Sequence, residues 1–184
     1  DLEPNEPEEA QALSLIRDWD LHTDTANRNA ALGVCILLEE WQAERTGSPL
    51  PDTRETLHTC MESVRDVAGR LDPEWGSVQQ HGRGQRTWPA AGGPDTLRAM
   101  YAEQLEDDDD FLTVVAGDGL YYLIEWNAEG EQTIRGTHQY GSQMTDESSP
   151  HYLDQAESFS QEIMRAPGFY PENRSATSRR YTVS

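Results

Sequence analysis

Lysine is absent from this 184-residue chain, so all 14 basic residues are arginine, set against 34 acidic residues for a formal charge of −20. A surface of that sign repels polyphosphate, which excludes nucleic acid as the natural partner. Long apolar runs are missing too: the longest, "AALGVCILL" from Ala30 to Leu38, is far shorter than the ~20 residues of a membrane-spanning helix. Cysteine occurs only twice, with neither a CxxC pair nor the Cys/His spacing of a structural zinc site. Cys35 and Cys60 both fall in segments of helical period with apolar neighbours, and this reading favours buried free thiols over a disulfide. The chain opens at Asp1 without methionine, signal peptide or transit segment, which points to a processed product or a piece of a longer polypeptide and leaves the compartment open.

The first part, 1–70, reads as helical. Leu13, Ile16 and Trp19 mark a short amphipathic face behind the acidic opening "DLEPNEPEEA". Asp24 is placed to cap a long helix from Thr25 to about Arg45, whose Ala26, Ala30, Gly33, Ile36, Leu37 and Trp41 recur at helical spacing until "TGSPLPD". Asp52 caps a third helix through Leu57, Met61, Val64 and Ala68, ended by Gly69, and the two longer helices are expected as an antiparallel pair. The segment 71–110 is loop-rich: "EWGSVQQHGRGQRTWPAAGGPD" combines glycines with two tryptophans, the mark of a loop anchored by aromatics.

From 111 to 140 the period becomes extended. Phe111–Ala116, Leu120–Trp126 and Gln132–Tyr140 read as three strands of a meander, with "AGDG" as a hairpin turn and "NAEGE" as a second turn. The middle strand, "LYYLIEW", is apolar or aromatic on both faces and so expects a sheet covered on both sides. Ser149 as N-cap and Pro150 at the first helical position open a helix of about four turns, 150–165, with Tyr152, Ala156, Phe159 and Ile163 on one face. A polar tail, 171–184, has no period, and its "NRS" at Asn173 is a bare glycosylation match. The fold class is α+β: N-terminal helices, then a three-stranded meander and a helix.

Candidate chemistry concentrates in "SPHYLDQ". His151 and Asp154, three apart, could pair as base and orienter, with Ser142, Ser148 or Ser149 as nucleophile. Nothing like GxSxG surrounds those serines, and serines beside proline and glycine serve as caps and turns. The acidic block Asp107–Asp110 lacks the glycine-spaced loop of an EF-hand and reads as a solvated run. His22, His58, His81 and His138 are scattered among different elements, and "GRG" at Gly82–Gly84 is too short for a dinucleotide loop. Neither a catalytic residue nor a metal ligand is assigned. The stretch reads as a structural latch of Tyr140, Gly141, Ser149, Pro150, His151, Tyr152, Asp154 and Gln155.

"YGSQMTDESSPHYLDQAESFSQ" resembles the C-terminal signature of the penicillin acylase (penicillin amidase) family, which includes acyl-homoserine lactone acylases and cyclic lipopeptide acylases. "LIRDWDLHTDTANRNAALGVCILLEEW", "LDPEWGSVQQHGRG" and "WPAAGGPDTLRAMY" match further family blocks in the same order, so the resemblance spans roughly Leu13 to Gly168. One departure is local: the family's Gly-Gln-Ser order stands here as Gly141-Ser142-Gln143. The resemblance implies an N-terminal nucleophile hydrolase, a four-layer αββα sandwich, cut from a precursor into two chains. It implies an N-terminal serine nucleophile outside this chain, because Asp1 carries no hydroxyl or thiol. The matched blocks belong to the late part of the family's large chain, to which neither its oxyanion asparagine nor its calcium ligands map, so no cofactor is expected here. Expected partners are the small chain, the N-terminal part of the large chain and a small N-acyl substrate, in a periplasmic or extracellular setting. The rival readings are a non-catalytic interaction module derived from the same family and a stand-alone Ser-His-Asp hydrolase.

The lysine-free, acid-rich composition is similar to that of salt-adapted proteins, in which screening offsets self-repulsion. The melting temperature should therefore rise from dilute buffer to molar KCl; a midpoint that does not move would show that self-repulsion does not limit stability.

Overall fold

A computed structural model describes residues 2–105 and 109–166. The acidic residues Asp107 and Asp108, the polar tail and the Asn173 sequon lie outside the described residues. The chain divides into two compact units, Asp1–Asp118 and Gly119–Ser184. Helices precede strands, and the class is α+β.

The first unit contains α1 (Pro7–Arg17), α2 (Ala30–Thr46), α3 (Thr53–Ala68), the single turn α4 (Trp75–Val78) and four strands, β1 (Gln79–Arg83), β2 (Arg86–Pro89), β3 (Met100–Glu103) and β4 (Leu112–Gly117). Asp52 caps α3 as its sequence requires, its carboxylate accepting from the Arg54 and Glu55 amides at 3.0 Å each. Gly47 and Gly69 end α2 and α3 at φ +69°, where a glycine carries no Cβ penalty. The buried faces of α2 and α3 meet in a cluster with Leu32, Leu57, Met61 and Val64 at its centre, and Leu13, Ile16 and Trp19 pack against it from outside. Gly33 is where Trp19 lies on α2: any Cβ there would run into the indole ring.

Three expectations change in this unit. Cys35 and Cys60 are not free thiols but a disulfide between α2 and α3, because the facing buried stripes bring their Cα atoms to 5.8 Å, within the span of a bridge. The long helix starts at Ala30 rather than Thr25, with Asn29 as its N-cap residue and not Asp24. The cause is competition for carbonyls: Thr25 O accepts from Gly76 N at 2.8 Å and Asn27 O from Trp75 N at 2.9 Å, which ties those groups to the start of α4. The "QQHGRGQRTWP" loop is a β1–β2 hairpin with a two-residue turn at Gly84, whose φ of 60° suits that turn. Its inward residues are the polar Gln79 and His81, so no apolar alternation announced it. The tryptophan anchor does hold, as the Trp75 indole N–H donates to Gly92 O at 2.9 Å. Burial pushes the His81 imidazole down to about 4, so it is neutral at physiological pH.

The meander does not form. The four strands of this unit pair in the order β2-β1-β4-β3, with β1 parallel to β4 and the other pairs antiparallel. "AGDG" is not a hairpin turn: the Asp118 amide donates to Ala99 O at 2.8 Å and its carboxylate accepts from Ala99 N at 3.0 Å, binding the residue back to β3's approach. The second unit has β5 (Leu120–Trp126) and β6 (Gln132–His138), an antiparallel ribbon, and α5 (Ala156–Ser160). The four-turn helix from Pro150 is thus a five-residue helix preceded by turns.

Glu9 of α1 is almost fully buried, and it meets α3 through Arg54 Nη1 at 2.6 Å and His58 Nε2 at 2.8 Å. The Asn5 amide at 2.5 Å, and then the Arg54 guanidinium, hold its carboxyl at about 2 against an ordinary 4.5. A depressed carboxyl stabilises the fold fully above its unfolded value and loses that contribution as pH falls through the folded one. The stability gap between the native chain and Glu9→Gln should therefore close between about pH 4.5 and about pH 2, read from urea midpoints. A gap constant over that range would remove Glu9 as a source of acid sensitivity.

Candidate functional site

In the second unit, residues 139–155 fold back on themselves around Gly141. Its amide donates to Tyr152 O at 3.0 Å, and the Gln143 amide donates to His151 O at 3.0 Å. These bonds occupy the two carbonyls that a helix from Pro150 would have used for its own amides, which is why the helical pattern fails there. A Cβ on Gly141 would collide with His151 O and with Asp154 Oδ1, so glycine is required by close approach.

The serine acts within the turn. Ser149 Oγ accepts from His151 N at 3.2 Å and Ser149 O accepts from Tyr152 N at 3.1 Å, a local turn in place of a helix cap. Upstream, the Ser148 hydroxyl at 2.6 Å and its amide at 3.0 Å both donate to Asp146, holding that carboxyl below the usual carboxylate range. Tyr152, Ala156 and Phe159 are buried as their period predicts, but Ile163 is exposed. Glu162 takes φ 58° and Ile163 N returns to Ser158 O at 2.8 Å, which closes α5 and turns Ile163 outward.

His151 and Asp154 do come together, Nδ1 to Oδ2 at 3.0 Å, with both side chains substantially exposed. Among the described residues no hydroxyl hydrogen-bonds the imidazole's other nitrogen. Ser148 Oγ donates to Asp146, Ser149 Oγ accepts from the His151 amide and Ser142 lines the cavity beside the turn, so among the described residues the His151–Asp154 pair forms without a hydrogen bond from any of these three serines to the imidazole. Tyr140 hydroxyl accepts from Gln139 Nε2 at 2.9 Å, and Gln155 O accepts from Phe159 N at 2.9 Å, so both tie neighbouring backbone or side chains. Pro150 occupies the turn between Ser149 and His151. The remaining histidines have local partners or places of their own: His22 lies 3.9 Å from Asp20 and Asp24, His58 sits on Glu9, His81 is in β1 and His138 contacts the Tyr140 backbone. Among the described residues no group of three or more His, Cys, Asp or Glu side chains is placed to hold a metal ion.

Beside this turn a cavity of about 410 Å³ is lined by Leu120, Tyr122, Gly136, His138, Ser142 and Arg165, among others. Gly136 and Arg165 were not singled out in the sequence. The Tyr122 ring covers Gly136, and Arg165 adds a bridge to β6 through two 2.8 Å backbone bonds with Gly136. An isolated glycine inside a strand pattern was the available signal, since it marks a close backbone or ring approach.

The ribbon itself has two unlike faces. Tyr121 stacks on Phe159 of α5, centroids 5.0 Å apart and 14° from parallel. Leu120, Tyr122, Ile124 and Trp126 share the opposite face, and all four are exposed, Trp126 by 64%. No helix is long and apolar enough to cross a membrane among the described residues.

The second unit is thus a two-stranded ribbon, with α5 packed at Tyr121, joined to a glycine-centred Ser-Pro-His-Tyr turn. A family model for penicillin amidases matches residues 1–176. The chain belongs to the penicillin amidase family, and through it to the N-terminal nucleophile hydrolases.

Gly141→Ala should destabilise the turn by about 1–3 kcal/mol, the range for forcing a methyl into a packed site. Thermal unfolding checks it, with an unshifted midpoint as the contrary result.

Proposed function

We propose that the chain is the C-terminal portion of an N-acyl amide hydrolase whose nucleophile is an N-terminal serine on another polypeptide segment. The observation that carries this reading is the bare apolar face of β5: four large side chains that water should not keep, in an otherwise strongly charged chain of an amide-hydrolase family. That face calls for a further layer; a second sheet there, itself covered by helices on its far side, would with the ribbon and α5 build the four-layer αββα sandwich.

In this scheme the serine attacks the amide carbonyl, with its own α-amino group as base, directly or through a water. The tetrahedral oxyanion is held by a backbone N–H and an asparagine side chain outside the matched blocks, the amine leaves, and water releases the acid from the acyl-enzyme. Substrates are N-acyl compounds: acyl-homoserine lactones, β-lactam amides or lipopeptides. This chain contributes structure. Its Tyr140–Gln155 turn acts as a latch, with Ser149, His151 and Asp154 satisfying local polar groups instead of reacting.

Native mass spectrometry of the protein from its source should find it bound to further acylase segments, and the complex should release acid from N-acyl substrates. A stable monomer without partner or activity would favour the interaction module. A fluorophosphonate probe should leave this chain unlabelled. Ser149→Ala should cost about 1 kcal/mol of stability and leave turnover of the assembled enzyme unchanged. Loss of turnover in a stable, folded variant would put the cluster in the chemistry.

A further inference from the structure

The two cysteines joined between α2 and α3 have unequal surroundings. Cys60 has 0% of its surface exposed and lies inside the cluster with Leu32, Leu57, Met61 and Val64. Cys35, 25 residues earlier, is partly exposed and only flanks that cluster. Thiol–disulfide exchange is an in-line displacement, in which a thiolate attacks one sulfur and the other leaves as a thiolate. Attack on the Cys60 sulfur would have to pass through the packed core. Attack on the sulfur of the less buried Cys35 would expel the Cys60 thiolate into apolar surroundings that do not solvate its charge. Both routes are therefore poor while the helices are docked, and the reverse reactions are equally poor.

We propose that the Cys35–Cys60 bond is made before the α2–α3 pair closes, by an oxidant of the disulfide class, and is a fixed staple thereafter. In the first step one of the two cysteine thiolates attacks the oxidant RSSR, forming a protein–S–S–R mixed disulfide and releasing one RS⁻. In the second, the other cysteine thiolate attacks the protein sulfur of that mixed disulfide, the bond to R breaks and a second RS⁻ leaves. Two protein thiols are oxidised, one oxidant disulfide is reduced to two thiols, and the two protons from the cysteines end on those thiols. The chain must then meet such an oxidant while its helical unit is open, as in an oxidising compartment.

The full chain is tested in two single-cysteine forms, Cys60→Ser and Cys35→Ser, each exposed folded and denatured to glutathione disulfide and weighed. Folded, Cys60 should form the adduct at least about tenfold more slowly than in denaturant, while partly exposed Cys35 is slowed less. A folded Cys60 that reacts as fast as the denatured one would overturn the proposal. The unsubstituted protein gives an independent reading: with reductant and an alkylating label present, labelling of the folded chain should be about a hundredfold slower than in denaturant. Matching rates would make the bond a labile switch and likewise overturn the proposal.

Discussion

Competition for backbone carbonyls decides where the elements of this chain begin and end. Thr25 and Asn27 give their carbonyls to the amides that open α4, so α2 cannot start before Ala30. His151 and Tyr152 give theirs to Gln143 and Gly141, so the helix promised by Ser149 and Pro150 is reduced to α5. Asp118, bonded to Ala99 through amide and carboxylate, fixes the point at which the chain leaves the first sheet. In each case a backbone or side-chain polar group is satisfied by a partner outside the local helical pattern, and the pattern yields to that bond.

The same bonds explain why glycine stands where it does in the motif. Gly141 is pressed against His151 O and the Asp154 carboxylate, so segment 141–143 and the 149–154 turn can exchange hydrogen bonds only without a side chain at 141. The His151–Asp154 pair follows from that fold-back and sits near the surface. Its residue types suggest an acid–base couple, but the nearby serines are committed to Asp146 and to the backbone. Belonging to an amide-hydrolase family and carrying a His–Asp pair are separate facts about this chain.

The two units also divide the burden of burial differently. In the first, α2 and α3 bury their stripes against each other, and the disulfide and the Glu9–Arg54–His58 contacts fasten the edges of that packing. In the second, a two-stranded ribbon carries one short helix, which is too little to cover β5 on both sides. Two-stranded ribbons are marginal alone. The apolar character of "LYYLIEW" on both faces is thus an account of what the strand would bury in a larger assembly.

The sequence alone determined the helical first part, the Asp52 cap, the glycine ends of α2 and α3, the extents of β4, β5 and β6 to within a few residues, and family membership. These rest on local chemistry: periodicity, capping side chains and ordered motif blocks read without knowledge of distant neighbours. Tertiary structure decided the pairing of the strands, the β1–β2 hairpin with its polar inward residues, the Cys35–Cys60 bond, the late start of α2 and the collapse of the Pro150 helix into turns. Each depends on which backbone carbonyl, sulfur or ring a segment far along the chain brings into contact, and local period carries no record of that contact.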